Sequence, residues 1–466
     1  MEQCCAIIGP DFVCDSKVEK GPYLTDWSKR FSGDAIAVLK PKDVKEVAAL
    51  VSLCNQNKIF IVPQGGNTGL CGGATPISDY QSVVILTTRL KQIYEVNLEN
   101  STITLDAGVV LARAQEAASQ SGKLFPLSLA SEGSCTIGGN LSTNAGGVQV
   151  LRYGNMRDLT LGLEVVTPSG EIFNGLRGLR KDNTGYSLKD IYIGSEGTLG
   201  IITAATLKLF PLPRSKATAL VTLADIGSSI QLIELIHQHC NADLTAFEII
   251  SSRALSLVPS GLEKLSGLVG EKSPWAALIE ISSMEDEEAS HTQLESLLEK
   301  AFYIGLINDA VLSKSLQQAK ELWKVREGIP EAQLGLGTIV KHDISLPISE
   351  LAKFVSSTEV KLKNFWPHFQ TIIFGHIGDG NLHYNIAPLT PELSQELEIR
   401  RKDINQLVHD EVYKHSGSFS AEHGIGQLKL DELTTRKSFI ELELMRNIKR
   451  ALDPQGMMNP GKVLWQ

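Results

Sequence analysis

Apolar positions along this chain change their period several times, and each change marks an element. The apolar run 35–39, closed by Lys40-Pro41, predicts a strand. Val44, Val47, Ala48, Val51 and Cys54 then recur at the spacing of one helix face, and 59–62 predicts a second short strand. Further apolar runs at 83–86 and 102–105 predict strands, and 111–120 a helix. Residues 163–173 hold Val165-Val166, a Pro168-Ser169-Gly170 turn and Ile172, the signature of a hairpin. Beyond Pro211-Leu212-Pro213 the character changes. Strand-like runs at 219–223, 276–281 and 371–374 alternate with helical stretches such as 288–302 and 314–327, the pattern of a separate α+β domain. A helix over 439–452, ended by Asp453-Pro454, precedes the tail Met457-Met458-Asn459-Pro460-Gly461-Lys462. The division expected is therefore 1–213, 214–414 and a C-terminal segment 415–466.

Composition narrows the class. Of 466 residues, 44 are Lys or Arg and 53 Asp or Glu, and the resulting charge of −9 argues against a general nucleic-acid binder, whose partner is polyanionic. No apolar stretch approaches the roughly 20 residues of a membrane span. The opening MEQCCAIIGPDFVCD has neither a basic leader with an apolar run nor an Arg- and Ser-rich, acid-poor character, so a cytoplasmic protein is expected. The seven scattered cysteines, none in a C-x-x-C pair, read as reduced thiols packed as small hydrophobes.

Glycine density carries the first chemical signal. Pro63-Gln64-Gly65-Gly66-Asn67-Thr68-Gly69-Leu70-Cys71-Gly72-Gly73 follows a strand, and a second dense segment runs from Gly133-Ser134 through Gly138-Gly139-Asn140 to Asn144-Ala145-Gly146-Gly147. A third is Gly194-Ser195-Glu196-Gly197-Thr198-Leu199-Gly200-Ile201. Without Cβ atoms, backbone N–H groups can converge on an anion such as a pyrophosphate. None is a G-x-G-x-x-G opening a helix, which argues against a Rossmann NAD site. Gly456 to Lys462 spells G-x-x-x-x-G-K, but Val463 stands where a triphosphate loop needs Ser or Thr.

The second signal is histidine. Six of ten lie between 368 and 423. His376-Ile377-Gly378-Asp379-Gly380-Asn381-Leu382-His383 reads as a hairpin whose two ends would bring His376 and His383 face to face across the ladder. Glu422-His423 lies in a glycine-flanked loop. Two imidazoles and a carboxylate make a catalytic zinc set, and similar shells take manganese or iron. Spacing alone also accommodates three unrelated residues flanking turns. Asp379 reads as a cap of its own turn, and His368, His409 and His415 as ordinary residues.

These segments in this order resemble the FAD-linked D-2-hydroxy acid dehydrogenases of the vanillyl-alcohol-oxidase flavoprotein type, in the branch of D-2-hydroxyglutarate and D-lactate dehydrogenases. The resemblance spans nearly the whole chain. It implies an α+β fold: a two-part FAD-binding domain, an α+β substrate (cap) domain and a helical C-terminal segment, with the site between domains. It implies that Pro63, Gly65, Gly66, Asn67, Thr68, Gly69 and Leu70 wrap the FAD pyrophosphate, and that Gly133, Ser134, Gly138, Gly139, Asn144, Gly146 and Gly147 line the rest of the cofactor. Glu196, Gly197, Gly200 and Ile201 would bracket its ribityl and adenine side, with Asn459 and Lys462 closing on the isoalloxazine. Some relatives attach the flavin to a histidine in the first glycine loop; Asn67 stands here instead, which implies noncovalent FAD.

The same resemblance makes His376, His383 and Glu422 ligands of a divalent metal, zinc or manganese. His423 becomes the general base, and Arg326, Lys341 and Asn385 the substrate-binding residues. The implied reaction oxidises a D-2-hydroxy acid, D-2-hydroxyglutarate first, to the 2-oxo acid by hydride transfer to flavin. An electron-transferring flavoprotein or a quinone rather than NAD would accept the electrons, and a homodimer is compatible with this reading. One departure stands out: four residues after Arg326, where the hydroxyglutarate enzymes place threonine, this chain has Pro330. That puts recognition of a second carboxylate in question. Rival readings are a D-lactate or glycolate dehydrogenase, a flavin-bearing electron-relay subunit, and a zinc hydrolase.

Overall fold

Short Val- and Ile-rich strands with a single amphipathic crossover helix build the first sheet. In the computed structural model, which describes residues 1–240, 243–258 and 273–465, the chain divides into two compact units. The first comprises Met1–Gly146, Gly154–Leu212 and Glu422–Gln466, the second Gly147–Tyr153 and Pro213–Ala421. The C-terminal segment from Glu422 onward belongs to the first unit, and residues 415–421 to the second.

In the first unit, strands β1 (Val13–Cys14), β2 (Val38–Leu39), β3 (Phe60–Gln64) and β4 (Ser82–Leu86) form a sheet in the order β1-β2-β4-β3. β2 and β3 both run parallel to β4, so the chain must cross over between them, and the helix Val44–Asn57 makes that connection. Asp43 caps it by accepting from the Glu46 N–H at 2.9 Å. Its Val47, Leu50, Val51 and Cys54 are buried against Ile61, Ile85 and Met458. The tail extends the edge at β3, with Asn459 N–H donating to the Ile61 carbonyl at 2.7 Å and Ile61 N–H to the Met457 carbonyl at 2.9 Å. The C-terminal residues are therefore part of the same sheet as the first glycine segment, which leaves β3 at Gln64.

A second, antiparallel sheet combines β5 (Ile93–Asn97), β6 (Thr102–Asp106), β7 (Thr160–Val166), β8 (Ile172–Gly175) and β9 (Ile201–Lys208) in the order β5-β6-β9-β7-β8. β7 and β8 form the expected hairpin, with Val166 opposite Ile172.

The second unit is one antiparallel sheet of β10 (Ser215–Leu223), β11 (Leu244–Ser251), β12 (Trp275–Ser283), β13 (Asp309–Leu312), β14 (Asp343–Ser345), β15 (Phe369–Gly375) and β16 (Asn381–Pro388), ordered β13-β10-β12-β11-β15-β16-β14. Side chains alternate between its faces, as the pleat requires. Ala219, Val221, Ile249, Ile279 and Ile373 pack with the helices Ile226–Cys240, Glu287–Tyr303, Leu351–Phe365 and Ser394–Lys414. Ile250, Ile372 and Phe374 on the other face meet Val325 and Ile329 of the helix Leu316–Ala332. That helix runs five residues past the expected stretch and contains Pro330, which is exposed. Proline lacks an N–H, so the Arg326 carbonyl four residues back gains no helical bond from it.

The hairpin of β15 and β16 differs from the expected geometry in one respect. Its register places Phe374, not His376, opposite His383. His376 follows the end of β15 and opens the 3₁₀ turn Ile377–Asp379, which Gly380 closes at φ +83°. Among the described residues no helix is long and apolar enough to cross a membrane.

Candidate functional site

Two sites, one in each unit, hold most of the residues singled out from the sequence. In the first unit the strand end at Gln64 releases the chain into the glycine segment 65–73, and this segment lies directly on the second one. A Cβ added at Gly66 would sit 2.1 Å from the Ser134 carbonyl oxygen, and one at Gly65 would sit 2.3 Å from Thr136 Oγ1. At Gly138 it would meet the Ala107 Cβ at 2.7 Å. These three glycines are thus required by chain against chain. Gly69 is different: nothing lies within 4 Å of its added Cβ, and its φ is outside the left-handed region.

The two segments wall a cavity. Pro63, Gly65, Gly66, Asn67, Thr68 and Gly69 line one side, Gly138 and Gly139 another, and Glu196, Gly197, Gly200 and Ile201 a third. His423 also lies on this wall. Leu70, Gly133, Ser134, Asn144, Gly146, Gly147, Asn459 and Lys462 do not. Some of these shape it from behind. Ser134 offers the carbonyl against which Gly66 packs, and Asn144, at φ +50°, accepts from the Arg157 N–H at 2.9 Å. Asn67, at φ +52°, donates to the Thr25 carbonyl at 2.9 Å, a backbone shape that asparagine tolerates better than most residues. Residues not singled out beforehand, among them Thr136 and Gln64, also line the cavity, and each has a buried side-chain oxygen with no hydrogen-bond partner. Glycine walls and unsatisfied polar atoms suit a polar, phosphate-bearing ligand such as FAD.

The Glu196 carboxylate accepts from the Ile425 and Gly426 N–H groups at 2.7 and 2.8 Å. Burial raises its pKa, and those two N–H groups work against the rise. Asn459 ties the tail to the same place by donating to the carbonyls of Gly73 and Glu196 at 2.9 and 2.7 Å. Lys462 is 2% exposed, and burial pushes its pKa down to about 7 against the pull of Glu196.

In the second unit the helix Leu316–Ala332 lays Arg326 over the sheet face that carries Glu248. Arg326 Nε donates to Glu248 Oε2 at 2.5 Å, and its guanidinium lies 4.8 Å from the centre of the Phe374 ring. Arg326 is 8% exposed, and its terminal NH₂ groups make no hydrogen bond among the described residues. The other Glu248 oxygen, Oε1, is 2.5 Å from His376 Nδ1. Burial alone would raise the Glu248 pKa, but the charges of His376 and Arg326 and their hydrogen bonds overcome it and hold the carboxyl down at about 2.

His376 and His383 have ring centres 6.0 Å apart. His383 Nδ1 is 4.0 Å from Asp343 Oδ1, and that oxygen accepts from Asn381 Nδ2 at 3.0 Å. The Ala421 N–H donates to the Asp343 carbonyl at 3.2 Å, and Glu422 is the next residue along the chain. Neighbouring imidazoles with a carboxylate beside them are a donor set that suits zinc or manganese. Asn385 is buried, donates to Gln333 Oε1 at 3.0 Å and accepts from the His342 N–H at 3.3 Å. Lys341 is exposed.

Glu248 was not anticipated from the sequence. The available signal was a single carboxylate inside Leu244-Thr245-Ala246-Phe247-Glu248-Ile249-Ile250, since a charge in an apolar strand must find a partner.

Comparison with known proteins places the chain in a family. Residues 35–175 match the model of the FAD binding domain family, and 212–463 that of the C-terminal domain of FAD linked oxidases. The chain is 36% identical over 458 residues to the D-2-hydroxyglutarate dehydrogenase, mitochondrial, of Arabidopsis thaliana, covering 98% of this chain and 80% of that one. It is 37% identical over 445 residues to the D-2-hydroxyglutarate dehydrogenase of Xanthomonas citri pv. viticola, covering 95% and 92%. A D-lactate dehydrogenase name also occurs among the relatives. The crystal structure of p-cresol methylhydroxylase superposes with a TM-score of 0.76 at 17% identity, covering 99% of this chain and 95% of that one.

Proposed function

On the premise that this chain belongs to the FAD-linked oxidases and has the vanillyl-alcohol-oxidase type of fold, we propose that it oxidises a D-2-hydroxy acid, D-2-hydroxyglutarate first, to the corresponding 2-oxo acid. The observation that carries the choice of substrate class is Arg326. A buried guanidinium fixed through Nε to Glu248, with its terminal NH₂ groups unpartnered among the described residues, offers a planar two-point site for a carboxylate.

FAD, held noncovalently in the glycine-walled cavity, supplies the hydride acceptor when bound. A divalent metal held by His376, His383 and Glu422, zinc or manganese, supplies Lewis acidity toward the hydroxyl oxygen when bound. The protein's own side chains do the rest. Arg326 orients the acid through its carboxylate, Lys341 adds a second cation, and Asn385 hydrogen-bonds the substrate. His423 takes the hydroxyl proton, a role suited to an imidazole near neutral pH. An electron-transferring flavoprotein or a quinone takes the electrons onward, and a homodimer is compatible with this reading. Seven free cysteines, six of them buried, support a reducing compartment, and we place the protein in the cytoplasm, although the Arabidopsis relative's name places that protein in mitochondria.

D-lactate is the second reading. It is favoured by Pro330, which offers neither a hydroxyl nor an N–H where a second carboxylate would need a donor, and by the exposure of Lys341. Anaerobic flavin bleaching with the D- and L-forms of 2-hydroxyglutarate and lactate, with and without zinc or manganese, tests both. Bleaching by D-2-hydroxyglutarate alone, lost on chelation and regained with metal, is expected. Faster bleaching by D-lactate moves the assignment to the second reading, and no bleaching by any 2-hydroxy acid overturns it.

A further inference from the structure

Arg326 and His376 come from different elements, a helix and the turn that follows β15, yet one carboxylate holds both. Glu248 in β11 is 0% exposed. Its Oε1 lies 2.5 Å from His376 Nδ1 and its Oε2 accepts from Arg326 Nε at 2.5 Å. Each oxygen serves one partner, so a rotation of the carboxylate disturbs both contacts. Val325 and Ile329 from the helix, with Ile250, Ile372 and Phe374 from the sheet, form the apolar packing on this face. Water is a poor substitute for the carboxylate in such surroundings.

We infer that Glu248 is a positioning residue that fixes the metal-holding nitrogen of His376 and the substrate-holding face of Arg326 together. This rests on the reading that His376 binds a metal and Arg326 the substrate carboxylate. A carboxylate accepts and does not donate, so it selects the tautomer in which His376 carries its proton on Nδ1, and coordination then falls to Nε2. The same carboxylate occupies the Nε edge of Arg326, which turns the terminal NH₂ groups toward the acid. Placement of the hydroxyl oxygen and placement of the carboxylate are thereby referred to one buried group.

Glutamine at 248 is the direct test. Its amide has one acceptor oxygen for two donors, and its NH₂ must face an N–H of either Arg326 or His376. The full-length FAD-bound enzyme would be titrated with zinc and with manganese against a competing chelator, and KM and kcat for D-2-hydroxyglutarate and D-lactate measured at saturating metal. Glu248→Gln is expected to weaken metal binding by about 10- to 100-fold, as loss of a partner behind a liganding histidine does, and to raise KM more than it lowers kcat.

Glu280→Gln is the control. This carboxylate is also buried in the sheet and accepts from Trp323 Nε1 at 2.8 Å and from Lys216 at 3.0 Å, with no contact to either histidine. It should leave metal affinity and KM unchanged. If Glu248→Gln does not fold, Glu248→Asp keeps the charge but shortens the reach by one methylene, and the same two losses are expected at smaller size. Either folded variant with wild-type metal affinity and KM overturns the inference alone. Wild-type enzyme that binds neither metal overturns the metal reading, and the inference falls with it. Equal losses in Glu280→Gln would mark a general weakening of the sheet and also overturn it.

Discussion

Gly69 and Gly66 lie three residues apart in one loop, and the structure assigns them opposite reasons for being glycine. At Gly69 an added Cβ meets nothing within 4 Å and φ lies outside the left-handed region, so alanine should stabilise the cofactor-free protein by about 0.4–1 kcal/mol through the unfolded chain. The space it faces is the cavity. Valine there adds three carbons where FAD is expected to approach the backbone, so the folded protein should survive while FAD affinity falls by at least roughly tenfold, about 1.4 kcal/mol. At Gly66 the added Cβ falls 2.1 Å from the Ser134 oxygen and 3.1 Å from the Cys135 Cα. Relieving an overlap of this kind costs about 1–3 kcal/mol. Gly66→Ala should therefore lower the melting temperature with or without cofactor. Thermal melts of apo protein, together with FAD titration followed by flavin fluorescence, separate the two. A Gly69→Val protein that holds FAD as tightly as wild type would refute the idea that this glycine is kept for close approach. A Gly66→Ala protein with unchanged apo stability would refute the packing argument.

Three further outcomes follow from the charges and donors. The Glu248 pKa lies at about 2 against an ordinary value near 4.5, so the folded state binds fewer protons than the unfolded one between those limits. That contribution, about 3 kcal/mol, is present above pH 4.5 and lost as pH falls toward 2, and Glu248→Gln should flatten this part of a denaturant-unfolding pH profile. For Lys462 the sign is reversed: with the folded pKa near 7 and the ordinary value 10.5, the unfolded state binds more protons between them, so stability rises with pH across that window. Lys462→Met should be more stable than wild type at pH 7, and a larger wild-type than mutant slope from pH 7 to 10 in thermal melts would bear this out. His423→Ala should keep FAD and metal but slow anaerobic flavin reduction by about 10²- to 10⁴-fold, whereas His383→Ala should lose metal as well; equal flavin reduction in both variants and wild type would contradict these roles.

Local pattern made much of the scaffold legible. The helices at 111–120 and 439–452 and the hairpin at 163–173 lie where apolar spacing and turn residues place them, because period and capping act over a few residues and need no distant partner. The glycine segments were legible for a related reason: glycine at that density is unfavourable in regular elements, even though Gly138 and Gly139 lie in the short helix Ile137–Ser142. Residue type and spacing grouped His376, His383 and Glu422 as one of two readings, and the family resemblance added Arg326 to them.

Long-range pairing set the remainder. Which glycine faces another chain segment and which faces the cavity depends on two stretches about 70 residues apart lying against each other. The His376–His383 relation turned on a register in which Phe374, not His376, opposes His383, and a shift of that kind leaves the hydrophobic pattern nearly unaltered. Glu248 stands 78 residues from Arg326 and 128 from His376. In sequence it is one acid among 53 acidic residues; only the sheet order and the helix laid across it bring Arg326 and His376 to its oxygens, because a buried charge is tolerated where the fold supplies its partners.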